Sequence, residues 1–99
     1  MTRFIQPGAI DPLIHERVRL GIISALAAAP ELTFTQLRDM LKVTDGNLSV
    51  HDRLLEENGY IKIEKSFVDK RPRTTLSLTA KGREAFKKYL ATLEALVKD

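Results

Sequence analysis

There is no cysteine anywhere in the chain, which excludes disulfides, zinc fingers and thiolate metal sites and fits a reducing compartment. The only imidazoles are His15 and His51. His15 has no second ligand at a useful spacing, and His51 reads as a hydrogen-bonded, half-buried ring, so no metal site is expected. No apolar run approaches the roughly 20 residues that cross a bilayer. The start, MTRFIQPGAIDP, carries no secretory hydrophobic segment, and the expected location is the cytoplasm. No glycine-rich phosphate loop follows a strand pattern, no Ser, His and acid arrangement is indicated, and Glu56-Glu57 belongs to a helix surface. Neither an enzyme nor a cofactor is therefore expected.

What the chain does have is charge in one place. Its formal net charge is +3. From Lys62 to Arg73, five basic residues (Lys62, Lys65, Lys70, Arg71, Arg73) stand against Glu64 and Asp69, so this stretch carries the whole excess and the rest sums to zero. A positive excess confined to one hairpin suits phosphate contact better than a uniformly solvated surface does. The 99 residues, 43% of them apolar, suffice for one domain with one modest core, which a chain of this size often completes by association.

Residues 1–10 are poorly patterned and read as an arm. Asp11-Pro12 looks like an N-cap followed by a first-turn proline, which predicts a helix bearing Leu13, Ile14, Val18, Ile22, Ile23, Leu26 and Ala27 inward, closed by Pro30. Gly21 within it is expected to mark close packing against another helix. Glu31-Leu32-Thr33 can form a short edge strand. Alternation from Tyr60 to Val68 and from Arg73 to Leu78 predicts two strands with Ile61, Ile63 and Phe67 inward on one, Thr74, Leu76 and Leu78 on the other, and a turn at Asp69-Lys70-Arg71-Pro72. A last helix, 80–98, capped by Thr79, places Phe86, Tyr89, Leu90, Leu93, Leu96 and Val97 at spacings of three and four.

Between these lies the informative stretch, TFTQLRDMLKVTDGNLSVHDRLLEENGY, residues 33–60. Thr33 stands three residues before Gln36, the capping-box spacing, and opens a helix with Phe34, Leu37, Met40 and Leu41 on its apolar side. Lys42-Val43 ends it. Thr44 can cap a second helix with Asp45 in its first turn and Leu48, His51 or Asp52, and Leu55 inward, until Asn58-Gly59 supplies a positive φ. Two short helices and a tight turn, over 33–58, form a helix-turn-helix.

The order Phe34, Leu37, Leu41, Thr44, Leu48, Ser49, His51, Arg53, Leu55, Glu56, Gly59, Tyr60 resembles winged helix-turn-helix regulators of the MarR and ArsR type. The match extends upstream through Leu13, Ile14, Arg17, Val18, Arg19 and Leu20, and downstream through Pro72, Arg73, Thr74, Leu78, Thr79, Gly82 and Arg83. It implies an α+β fold: a winged helix-turn-helix with a two-stranded wing over 60–78 and terminal dimerisation helices. One position departs from the pattern. Asp52 stands where such regulators usually carry leucine, so the carboxylate either faces inward at a cost, is tied to Arg53 or a wing lysine, or turns outward with the helix slightly rotated.

In such a protein the second helix enters the DNA major groove. The candidates for base readout are Asn47, Ser49, Val50 and Arg53, with Asp45 as an acceptor for a cytosine amine or a helix-start charge. Thr35, Gln36, Lys42 and Thr44 would meet the backbone, and Lys65, Lys70, Arg71 and Arg73 the adjacent minor groove or its phosphates. A two-fold dimer through the terminal helices would use Leu13, Ile14, Phe86, Tyr89, Leu93 and Leu96. The expected partners are a second copy and double-stranded DNA, no effector being named by residue types. A winged-helix protein-interaction module is the alternative, because fold alone does not fix function.

Overall fold

The computed structural model describes residues 4–97. Four helices and a three-stranded antiparallel sheet follow a short 3₁₀ turn at Pro7–Ala9: α1 (Arg17–Ala28), β1 (Leu32–Thr33), α2 (Phe34–Leu41), α3 (Asp45–Glu57), β2 (Ile61–Val68), β3 (Arg71–Leu78) and α4 (Ala80–Glu94). This is the α+β winged helix, with helices flanking a small sheet.

The first helix begins five residues later than Asp11-Pro12 suggests. Asp11 does accept from the Leu13 N–H at 2.9 Å, but the chain only turns there, because extended Glu16 is the residue that caps α1, its Oε1 accepting from the Arg19 N–H at 2.8 Å. Asp11 instead receives the Tyr60 hydroxyl, which fastens the turn to the start of β2. Burial, followed by this bond to the Asp11 carboxylate, pushes the Tyr60 phenol up to about 12.

The other helix starts are as expected. Thr33 accepts from the Gln36 N–H at 3.1 Å while the Gln36 side chain accepts from the Thr33 N–H at 2.9 Å, a complete capping box. Thr44 accepts from Asn47 N–H, and Thr79 from Gly82 N–H. The turn between α2 and α3 is made by Lys42 in the left-handed region, φ 56°. Gly59, φ 78°, reverses the chain after α3.

Ile14, Ile22, Ile23, Leu26, Leu37, Leu48, Leu55, Ile61, Leu76 and Tyr89 form the core. Two glycines let elements approach. A β-carbon at Gly21 would lie 2.9 Å from Leu41 on α2, and one at Gly82 would lie 2.1 Å from the Tyr60 carbonyl, so α4 could not start against β2 with any larger residue.

The sheet runs β1-β3-β2. Leu32 and Thr33 pair with Leu76 and Thr75, while β2 and β3 pair along their whole length, from Ile61 with Leu78 to Val68 with Arg71. The wing turn is therefore Asp69-Lys70 alone, both at positive φ as a type I′ turn requires, and not the four residues 69–72. Pro72 lies within β3, where β1 no longer reaches and the missing N–H costs no pairing on that edge. Phe67, expected inward, is 76% exposed, since the hairpin continues past the core after Ile63. Helix α4 ends at Glu94, short of 98, with turns to Val97, and Lys98 falls outside the described residues.

Candidate nucleic-acid interface

Helix α3 is anchored from below and free above. Leu48 and Leu55 are buried, whereas Asn47 and Arg53 are exposed and Val50 is 63% exposed. Among the described residues, the side chains of Asn47 and Arg53 make no hydrogen bond or ion pair, so their donors point to solvent uncommitted. Ser49 is half-buried and lines a groove between α3 and the wing, with Arg53, Glu56, Lys65 and Thr74. Asp45 is committed. Arg38 of α2 reaches it at 3.0 Å and holds Asp39 at 2.9 Å, so Asp45 bridges the two helices as well as placing negative charge in the first turn of α3. The role of Arg38 leaves no local signal in the sequence, because its partner lies seven residues away across the turn.

A second clamp lies on the opposite side of α3. The guanidinium of Arg19 donates to His51 Nδ1 at 3.0 Å and to the Leu13 carbonyl at 2.6 Å, which leaves the ring proton of His51 on Nε2. Glu16 Oε1 lies 3.7 Å from the same Nδ1. Burial, the largest single influence, would raise the Glu16 carboxyl, but the N–H groups of Arg19 and Val18 together with the neighbouring His51 and Arg19 side chains outweigh it and lower the group from its ordinary value. His51 is thus the half-buried, hydrogen-bonded ring expected, and its role is to set the roll of α3 against α1.

Asp52 faces inward. It is 3% exposed and neither carboxylate oxygen has a hydrogen-bond partner among the described residues, so neither Arg53 nor a wing lysine ties it down. Burial, with the charge of Glu56 one turn on, pushes its carboxyl up to about 7. The roll of α3 is accordingly the one that turns Val50 and Arg53 outward.

Around this helix, Thr35, Gln36, Lys42 and Thr44 are exposed; Gln36 and Thr44 spend side-chain atoms on caps, and Lys42 forms the turn. On the wing, Lys62 pairs with Glu64 at 3.3 Å, which leaves Lys65, Lys70, Arg71 and Arg73 exposed and, among the described residues, without partners, against Asp69. The structure thus brings together one helix face with free donors and one ribbon with free cations.

The expected dimer residues divide. Ile14 is fully buried and Tyr89 is 4% exposed with its hydroxyl 2.9 Å from His15 Nδ1, so both belong to the monomer core and have no surface to offer a partner. Leu13, Phe86 and Leu93 are half-buried, Leu96 is 40% exposed, and Leu90, Val97 and Phe4 add apolar surface that the spacing alone does not single out.

No described helix is long and apolar enough to cross a membrane, and the described residues hold no group of three or more His, Cys, Asp or Glu arranged for a metal ion. A capped helix pair, a sheet with an overshooting basic hairpin and a closing helix define a winged-helix protein of the regulator type. The chain belongs to the winged helix DNA-binding domain family, whose model matches residues 18–97.

It is 38% identical over 87 residues to an uncharacterised protein of Methanocaldococcus jannaschii, covering 88% of this chain and 95% of that one. A transcriptional regulator homologue from Pyrococcus horikoshii is 39% identical, with a TM-score of 0.81 and coverage of 86% and 84%. A MarR family transcriptional regulator from Streptomyces coelicolor, solved in complex with DNA, is 27% identical with a TM-score of 0.72, covering 90% of this chain and 60% of the regulator. The relation to MarR-type regulators agrees with a non-catalytic protein.

Proposed function

We propose that the protein is a sequence-specific double-stranded DNA-binding transcriptional regulator that acts as a homodimer in the cytoplasm. The observation that carries this reading is the outward, uncommitted pair Asn47 and Arg53 on a helix held in a fixed roll by the Arg19–His51 contact, beside a wing with four cations that are unpaired among the described residues. A helix presented in this way fits the major groove, where Arg53 can give two donors to guanine, Asn47 can pair with adenine and Val50 can meet a thymine methyl. The wing cations then hold phosphates and fix register. Support for the same use comes from the DNA-bound state of the Streptomyces coelicolor relative.

Exposed Val50 and Met40 would equally suit an apolar protein partner, which keeps an interaction module as the second reading. Selection of bound sequences from random duplex DNA separates the two. A two-fold repeated motif is expected; recovery of unenriched sequence would remove DNA readout and leave the interaction module.

A further inference from the structure

A carboxyl group without a partner lies directly behind the exposed face of α3. Asp52 is 3% exposed, and neither of its oxygens has a hydrogen-bond partner among the described residues. A neutral carboxyl tolerates such a site, whereas an ionised one left unpaired is strongly disfavoured. The surrounding groups do not relieve it. The groove wall supplies Phe34 from α2 and Thr74 from β3, neither of which ionises; Lys65 comes from β2, and Arg53 and Glu56 from α3 itself. Lys65 and Arg53 are exposed and reach neither oxygen, while Glu56, one turn on, adds a like charge. On the far side of α3, Arg19 of α1 and its cap Glu16 approach His51 instead.

Water, however, is close. The groove that Asp52 borders, between α3 and the wing, has a volume of about 670 Å³, against roughly 30 Å³ for one water. Neighbouring residues on a helix are about 100° apart around its axis, so a roll of α3 by a fraction of that step carries Asp52 from the wall of the groove into it. The same roll changes the aim of Asn47, Val50 and Arg53. Buried Leu48 and Leu55 resist it only through non-directional packing. The directional restraint is the contact from Arg19 to His51 at 3.0 Å.

Resting on the reading of the protein as a DNA-binding regulator, we propose that Asp52 is a positioning residue that ties the reading pose of α3 to a proton. Protonated, the carboxyl sits inward and α3 presents Asn47 and Arg53 to the bases. Ionised, it is rolled into the groove, and the helix loses its aim. A specific duplex therefore selects the protonated chain.

The direction of the effect follows from where the proton is held more tightly. Burial, and then Glu56, let the inward carboxyl keep its proton up to about pH 7, whereas the ordinary value is 3.8. Raising the pH between these values favours the rolled pose, by a factor of at most about 10³ per protomer, and the shift is complete above the upper value.

The test uses the full chain with a duplex carrying the selected motif and a scrambled duplex, at constant ionic strength from about pH 5.5 to about pH 8.5. Wild type should lose about tenfold of its preference for the motif as pH rises, levelling off at the alkaline end, while binding to scrambled DNA weakens much less. Asp52→Asn, which keeps the shape and cannot ionise, and Asp52→Leu should prefer the motif equally at every pH. His51→Asn keeps an acceptor near the Nδ1 position and should decline as wild type does, which separates Asp52 from its neighbour. In the free chain, the Asp52 carboxyl carbon followed by NMR should titrate with the same midpoint as the amide signals of α3.

A decline that survives both Asp52 variants overturns the proposal, as does a wild-type preference that is flat with pH or a decline abolished by His51→Asn. Equal weakening on both duplexes would mean that a new negative charge merely repels phosphate, and overturns it too. So does a carboxyl that titrates without moving α3, or a loss of helical signal at the alkaline end, which would be unfolding. Failure of wild type to bind any duplex, with α3 still moving as Asp52 titrates, would instead overturn the DNA-binding reading and support the proton-dependent pose.

Discussion

Asp52 is the residue at which sequence pattern and physical cost meet. Its carboxyl, raised to about 7 by burial and then by Glu56, is protonated in the folded chain over a range where it is ionised in the unfolded one, whose ordinary value is 3.8. Between these values the folded state holds the extra proton, so the Asp52 contribution makes stability fall as pH rises from about 4 to about 7 and stay low above that. Asp52→Leu, placed among Phe34 and Ile63 on the groove wall, should be more stable than wild type, and its advantage should be greater at pH 8 than at pH 4 by up to about 4 kcal/mol. Denaturant titrations at the two pH values check this; an advantage that does not grow with pH removes the ionised carboxylate as its source. Since Asp52 faces inward, the same variant should keep its preference among duplexes. Arg53 behaves oppositely, being free and exposed. Arg53→Ala should leave stability unchanged and flatten the preference at one position in each half-site, a bidentate guanine contact being worth about 1–3 kcal/mol of discrimination. Competition with single-position operator variants reads this directly.

At the scale of elements, the wing is where affinity and sequence information part. Arg71 is exposed and, among the described residues, unpaired in the first position of β3, so Arg71→Ala should weaken specific and scrambled duplexes by similar factors. Removing one cation from a phosphate lowers the slope of log affinity against log salt by about 1, hence by about 2 for a dimer. Titrations at several salt concentrations decide it, unchanged slopes removing Arg71 from the interface. The wing also marks the limit of what is legible in the sequence. Caps at Thr33, Thr44 and Thr79 can be read there because their partners lie three residues away and the capping geometry is local. Alternation gives the two strands, but it cannot say where a strand outruns the core, and so it places Phe67 inward when the hairpin in fact projects. The inward roll of α3 at Asp52 is one of three choices that the sequence leaves open, because it is set by the Arg19–His51 contact between residues 32 apart. Asp11-Pro12 has the local form of a helix start, and only the tertiary bond from Tyr60 accounts for its use as a turn.

For the whole molecule, the question is which apolar surface remains once the monomer is closed. An amphipathic stripe on α4 announces burial without saying whether the cover comes from the same chain, and here it is shared. Tyr89 and Gly82 are buried against the core, while Leu90 (46% exposed), Leu96 and Val97 remain open toward the C-terminal end, with Phe4 exposed at the other terminus. A dimer through the terminal elements would therefore rest on Leu90, Leu96 and Val97 with the half-buried Phe86 and Leu93, and leave Ile14 and Tyr89 to hold the monomer. The choice of variant follows from this division. Leu93 packs against the core, so a charge there would disturb the fold as well as an interface. Leu90 is solvent-facing in the single chain, so Leu90→Asp should leave the thermal transition of the monomer nearly intact while an unpaired carboxylate at the interface costs several kcal/mol. Sedimentation across the micromolar range should find wild type associating as concentration rises and Leu90→Asp remaining a monomer. The variant should then bind an isolated half-site as wild-type monomer does but lose the gain from joining two half-sites on one duplex. Wild type that stays monomeric at every concentration, with equal affinity for one and two half-sites, would mean that α4 closes the domain alone.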